Sequence, residues 1–153
     1  MNYLKQDQIE EINGNVLCWL ATTSESGQPN VSPKEMFLCL DNKTIIIANI
    51  SSPGSVKNIQ TNPKVCFSSI DVFRQKGFKI YGEATILGND GNNSFEEFRK
   101  ILINRYGNSF PILSVIRINI SSIQKILAPS YLFNLGKSEE EMINDAKNTY
   151  NIK

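Results

Sequence analysis

A chain of 153 residues with 16 Lys+Arg against 15 Asp+Glu suits one domain with its own core, and its net charge of +1 carries no global field to gather nucleic acid or an acidic membrane. It has no histidine, which excludes histidine-dependent triads and acid–base chemistry, and Cys18, Cys39 and Cys66 are too widely spaced to frame a zinc site. The three thiols sit in apolar segments, the N-terminus is polar and no apolar run reaches membrane-spanning length, so the expectation is a cytoplasmic protein.

Asp7 followed by Glu10 predicts a capped first helix, with Ile9 and Ile12 as apolar contacts and Asn13-Gly14 as its end. Residues 16–23 read as a buried strand, 24–29 as a turn, and 30–40 as the second strand of a hairpin. On that second strand Ser32 and Lys34 are expected to share a face with Met36, Leu38 and Leu40, a face that passes from polar to apolar. Asp41-Asn42-Lys43 then turns the chain into residues 44–48, a β-branched run typical of a central strand.

The segment that follows runs from Asn49 through Ser51, Ser52, Pro53, Gly54 and Ser55 to Lys57 and Asn58, from strand into helix. Three hydroxyls, a glycine that lets the backbone approach a ligand, unpaired amides at a helix start and a cation in its first turn are what a phosphate requires. The same residues also read as an ordinary helix cap, with Ser55 capping and Lys57 solvated.

Pro63 ends this helix, and residues 65–70 form the next strand. Residues 77–87 alternate, with Phe78, Ile80, Ala84 and Ile86 on one face, and Gly82 interrupts that face as a bulge would. Ser94 with Glu97 opens a helix to about Tyr106, residues 115–126 form a last long strand, and Ser138 with Glu141 opens a C-terminal helix ending near Tyr150. The resulting expectation is a mainly β protein: one domain over residues 1–153, a six-stranded antiparallel barrel with peripheral helices.

From about Val16 to Ile126 the order of these pieces resembles the pyridoxamine 5'-phosphate oxidase-like family, the FMN-binding split barrels. The carriers are Leu20-Ala21-Thr22-Thr23, the stretch Gly27-Gln28-Pro29-Asn30-Val31-Ser32-Pro33-Lys34, Ala48-Asn49-Ile50-Ser51-Ser52, Ser55-Val56-Lys57-Asn58-Ile59 with Asn62-Pro63-Lys64-Val65, and the strand from Gly77 to Ala84. The resemblance implies FMN as cofactor, its phosphate at Ser52, Ser55 and Lys57 with Ser51, Asn49 and Asn58 beside it. It places the flavin ring along Ser32, Pro33 and Lys34, where a cation stabilises the reduced, anionic ring; Lys34 also reads as a solvated edge-strand lysine. It implies a homodimer with the cofactor at the interface, approached by Lys76, Gly77 and Lys79 of the other subunit; these equally fit a charged hairpin end.

Three departures stand out. Ser55 occupies a position where the pyridoxamine oxidases usually carry lysine or arginine, and Gly77 one where they carry a flavin-contacting glutamine. With no histidine the C-terminal arginine–histidine pair that holds substrate phosphate is also missing, so pyridoxamine phosphate oxidation does not carry over. What remains is a flavin-dependent oxidoreductase acting on an undefined small molecule, or a non-catalytic FMN-binding or flavin-storage module. A nucleic-acid-binding barrel using Phe67, Phe73 and Phe78 as stacking platforms is opposed by the neutral charge, and a haem-handling barrel lacks the usual axial histidine.

Overall fold

The computed structural model describes residues 3–89, 93–133 and 136–152; the polar start at Met1 and Asn2 lies outside them. Seven strands form one sheet among the described residues: β1 (Cys18–Thr23), β2 (Pro29–Lys34), β3 (Phe37–Cys39), β4 (Thr44–Asn49), β5 (Lys64–Asp71), β6 (Lys76–Leu87) and β7 (Ser114–Leu127). Their order in space is β2-β1-β5-β6-β7-β4-β3, and every pairing is antiparallel. The two outermost strands, β2 and β3, are consecutive in the chain with only Glu35 and Met36 between them. Two residues bring Lys34 and Phe37 within about 11 Å, so the sheet must curl until its edges nearly meet.

The predicted strand over residues 30–40 is therefore two strands, and the count is seven rather than six. The break also inverts the alternation. Cys18 of β1 opposes Lys34, and Leu20 opposes Ser32, so the even residues of β2 point toward the barrel interior. In β3 the interior residues are the odd ones, Phe37 and Cys39. Met36, Leu38 and Leu40 pack instead into a second cluster outside the barrel, and do not share a face with Ser32 and Lys34.

The barrel interior is filled by Leu20, Phe37, Ile45, Ile47, Phe67, Phe78, Ile80, Ile116 and Ile118, joined by Ile12 of helix α1 (Gln6–Gly14) and Ile59 of helix α2 (Pro53–Thr61). Phe67 and Phe78 are thus core residues and unavailable as stacking platforms. Outside, helix α3 (Asn93–Tyr106) lays Phe95 and Leu102 on Ile46, Ala48, Leu87 and Val115. The β-branched run of β4 is accordingly buried on both faces, Ile45 and Ile47 inward, Ile46 and Ala48 outward.

Several local details differ from the sequence reading. Helix α1 starts at Gln6, and the Lys5 amide donates to Gln8 Oε1 at 2.9 Å in place of an Asp7–Glu10 cap. Helix α2 starts at Pro53, whose preset φ suits a first helical position, so Ser52 rather than Ser55 stands at its N-cap. The bulge at Gly82 is present: the β6–β7 register shifts between Tyr81 and Gly82, and a Cβ at Gly82 would lie 2.4 Å from the Asn119 carbonyl oxygen. A short helix α4 (Pro129–Leu132) precedes α5 (Glu139–Thr149). Helix α5 carries the expected capping box, with Ser138 Oγ accepting from the Glu141 amide and Glu141 Oε2 from the Ser138 amide.

Candidate functional site

The split between β2 and β3 opens beside the start of α2, and there the structure brings together residues 18 positions apart. Lys34 Nζ donates to Ser32 Oγ, to Ser52 Oγ at 2.6 Å and to the Pro33 carbonyl at 3.2 Å. The side chain is buried, at 7 % exposure, and no carboxylate pairs with it among the described residues. Burial pushes the Lys34 ammonium below its ordinary value; the adjacent Cys18 thiol opposes this only when ionised, and its own burial strongly disfavours that form. A buried cation held solely by neutral oxygens has lost water without gaining a counter-charge.

The loop beside it is fastened from behind. Asn49 Oδ1 accepts from the Ser52 amide at 3.1 Å, while Asn49 Nδ2 donates to Ser114 Oγ on β7 at 2.8 Å. Asn49 thus positions the loop, and Ser114 anchors Asn49. Ser51 and Gly54 are exposed, and a Cβ built on Gly54 would meet no protein atom within 4 Å. The helix start is uncovered, with amides of its first turn lacking intrahelical partners.

Pro33, Lys34, Ser51 and Ser52 line a cavity of about 330 Å³, completed by an apolar wall of Leu17, Met36, Ala48, Ile50 and Phe110 and by Glu35 at its rim. Apart from Met36, that wall escaped sequence reasoning, because Leu17, Ile50 and Phe110 come from three unconnected segments.

The other candidates lie elsewhere. Ser55, at 2 % exposure, faces inward and accepts from Asn30 Nδ2 at 3.4 Å, while Asn30 and Asn58 both donate to Thr22 Oγ1, at 3.1 and 3.0 Å. This buried network ties α2 to the β1–β2 hairpin. Lys57 is exposed and lines a separate depression with Ser24, Glu25 and Ser26. Lys76 pairs with Glu139 of α5 and sits 4.3 Å from the centre of the Tyr131 ring; Lys79 lies 5.8 Å from that of Tyr81. Gly77 is pressed against β5, where a Cβ would stand 2.1 Å from the Ser69 carbonyl oxygen, so no side chain of any kind fits that backbone. Gly77→Ala is expected to destabilise the protein by roughly 1–3 kcal/mol through forced separation of β5 and β6, read as a lower urea midpoint.

An antiparallel sheet curled until its edges nearly meet, with peripheral helices and an uncovered helix start at the split, defines a split barrel. The family model of pyridoxamine 5'-phosphate oxidase matches residues 4–127, and the chain belongs to that family. Among solved structures it is similar to HupZ of Group A Streptococcus, at 23% identity and a TM-score of 0.68, over 82% of this chain and 95% of that one. An FMN-binding protein from Syntrophomonas wolfei aligns at 17% identity with a TM-score of 0.65, over 80% and 88% of the two chains. An F420 reductase aligns at 17% and 0.59, over 79% and 98%. At these identities the likeness is one of fold. No curated protein matches the chain in sequence.

Proposed function

We propose that this protein holds FMN by its phosphate at the junction of Lys34, Ser51, Ser52 and the start of α2, and that it is a flavin-dependent oxidoreductase acting on a small molecule. The observation that carries the reading is the buried Lys34 ammonium, supplied with hydroxyl and carbonyl oxygens but no carboxylate. A phosphate would complete it with charge-assisted hydrogen bonds. The apolar wall beyond suits a planar ring, and family membership supports the same cofactor. Bound FMN would supply electron or hydride transfer; the residues of this chain supply position, charge and exclusion of water. Lys57, one turn into α2, adds positive potential from its own side of the helix. Titration with FMN and with riboflavin tests the assignment: FMN is expected to bind at least tenfold more tightly, and equal affinities would refute it.

The substrate reading follows from the charges. Within one subunit the described lining of the cavity carries Glu35 beyond Lys34 and no second cation, so a phosphorylated substrate would find no partner there. Pyridoxamine 5'-phosphate is therefore expected not to bleach the bound flavin in anaerobic stopped flow, whereas NADH, NADPH or a reduced deazaflavin is. Failure of all three donors would favour a flavin-storage module.

A homodimer completes the proposal. A cavity of about 330 Å³ stands at the small end of cofactor sites, and Leu17 and Phe110 on its wall, with Trp19 and Val31 on β1 and β2, remain exposed. A second copy laid on this surface would cover both. Light scattering on the flavin-bound protein is expected to give twice 17.2 kDa, and a stable monomer would contradict the interface site.

A further inference from the structure

The described residues beyond the family match at 4–127, 128–133 and 136–152, return to the turn between β5 and β6. Tyr131 donates its hydroxyl to the Arg74 carbonyl at 2.7 Å, Tyr150 meets Phe73 edge-on at 6.3 Å, and Met142 and Ala146 are buried. At the centre of this contact one carboxylate is held by two cations. Arg74 Nε donates to Glu139 Oε1 at 3.1 Å, and Lys76 Nζ donates to Oε2. Both oxygens are thus captured, which is how a protein takes an external carboxylate or phosphate.

The surroundings are unbalanced in the same sense. Arg74 and Lys76 open onto a pocket of about 250 Å³ whose other charged residues are Lys5, Lys125, Asp7 and Glu11, and with Asp71 beside Arg74 four cations face three carboxylates before Glu139 is counted. The three paired side chains are between 26% and 38% exposed, and pairs so exposed are weak and screened by salt.

We infer that Arg74 and Lys76 form a second anion-binding site, specific for a small oxyanion, and that Glu139 of the C-terminal extension occupies these two cations as a tethered substitute for the ligand. An oxyanion and Glu139 then compete for the same two cations. Binding releases α5 from the β5–β6 turn, and docking of α5 expels the oxyanion. Within one subunit the clamp and the Lys34 cavity share no lining residue.

Inorganic phosphate is the probe, titrated by calorimetry into the full chain and into Glu139→Gln, which keeps the shape of the side chain and removes its charge. The variant is expected to bind phosphate about fivefold more tightly than the parent, the size of an exposed ion pair. That gain should vanish when Arg74→Ala is added, which separates this site from phosphate bound near Lys34. Hydrogen exchange provides a second reading on the unaltered protein, since phosphate is expected to speed exchange across residues 139–149. Equal affinities in parent and Glu139→Gln, a gain that survives Arg74→Ala, or exchange in α5 indifferent to phosphate would each overturn the inference.

Discussion

Lys34→Met is expected to weaken FMN binding by about 1.5–3 kcal/mol, roughly 10- to 150-fold in Kd, while making the FMN-free protein more stable. The two effects have opposite sign for one reason: Lys34 is 7 % exposed and its ammonium meets, among the described residues, Ser32, Ser52 and the Pro33 carbonyl, so it is costly when alone and valuable when an anion arrives. Lys57→Ala, on the exposed side of α2, should matter less. The pH dependence follows the same logic. Burial lowers the folded pKa of Lys34 below its ordinary 10.5, so between those two values the unfolded chain binds more protons and stability rises with pH. Thermal melts of the FMN-free protein should show this alkaline rise, and Lys34→Met should lose it. A variant that binds FMN unchanged would remove Lys34 from the site.

The largest loss of stability is expected from Phe67→Ala. Phe67 is fully buried and meets Phe37 edge-on, with ring centres 5.4 Å apart and planes at 66°. Its removal leaves a hole between strands that are hydrogen-bonded on both sides and cannot collapse, which costs about 3–5 kcal/mol. At this chain length that lowers the melting temperature by roughly 6–20 °C. Urea denaturation with an unchanged slope and a shift below about 1 kcal/mol would show that the barrel relaxes around the gap.

What could be read from the sequence was local. Ser138 and Glu141 stand three apart and announce their capping box, and the alternation of β6 around Gly82 announces both strand and bulge. The break at Glu35-Met36 holds no glycine or proline of its own, and Pro33 two residues before it marks an edge strand without placing the break; that is imposed by closure of the sheet, which forces β2 and β3 to opposite edges. The site divides in the same way. The hydroxyl-rich run over residues 49–58 pointed to the correct loop, yet Ser55 and Asn58 turn inward because Thr22 and Asn30, far away in sequence, offer them partners. The meeting of Lys34 with Ser52 is likewise a product of the curled sheet.

Sheet order also has a consequence for synthesis. Strand β4, with Ile45, Ile46 and Ile47 fully buried in the finished protein, takes its long partner from β7, and the pair Asn49 and Ser114 is separated by 65 positions. At ribosomal rates of about 5–20 residues per second, β4 waits roughly 3–13 s after emerging before its partner exists. During that interval the nascent chain presents a β-branched, uncharged strand with both faces bare, the kind of segment that pairs with strangers. A chaperone that shields residues 44–49 cotranslationally should therefore raise the yield of this protein more than one acting on the released chain.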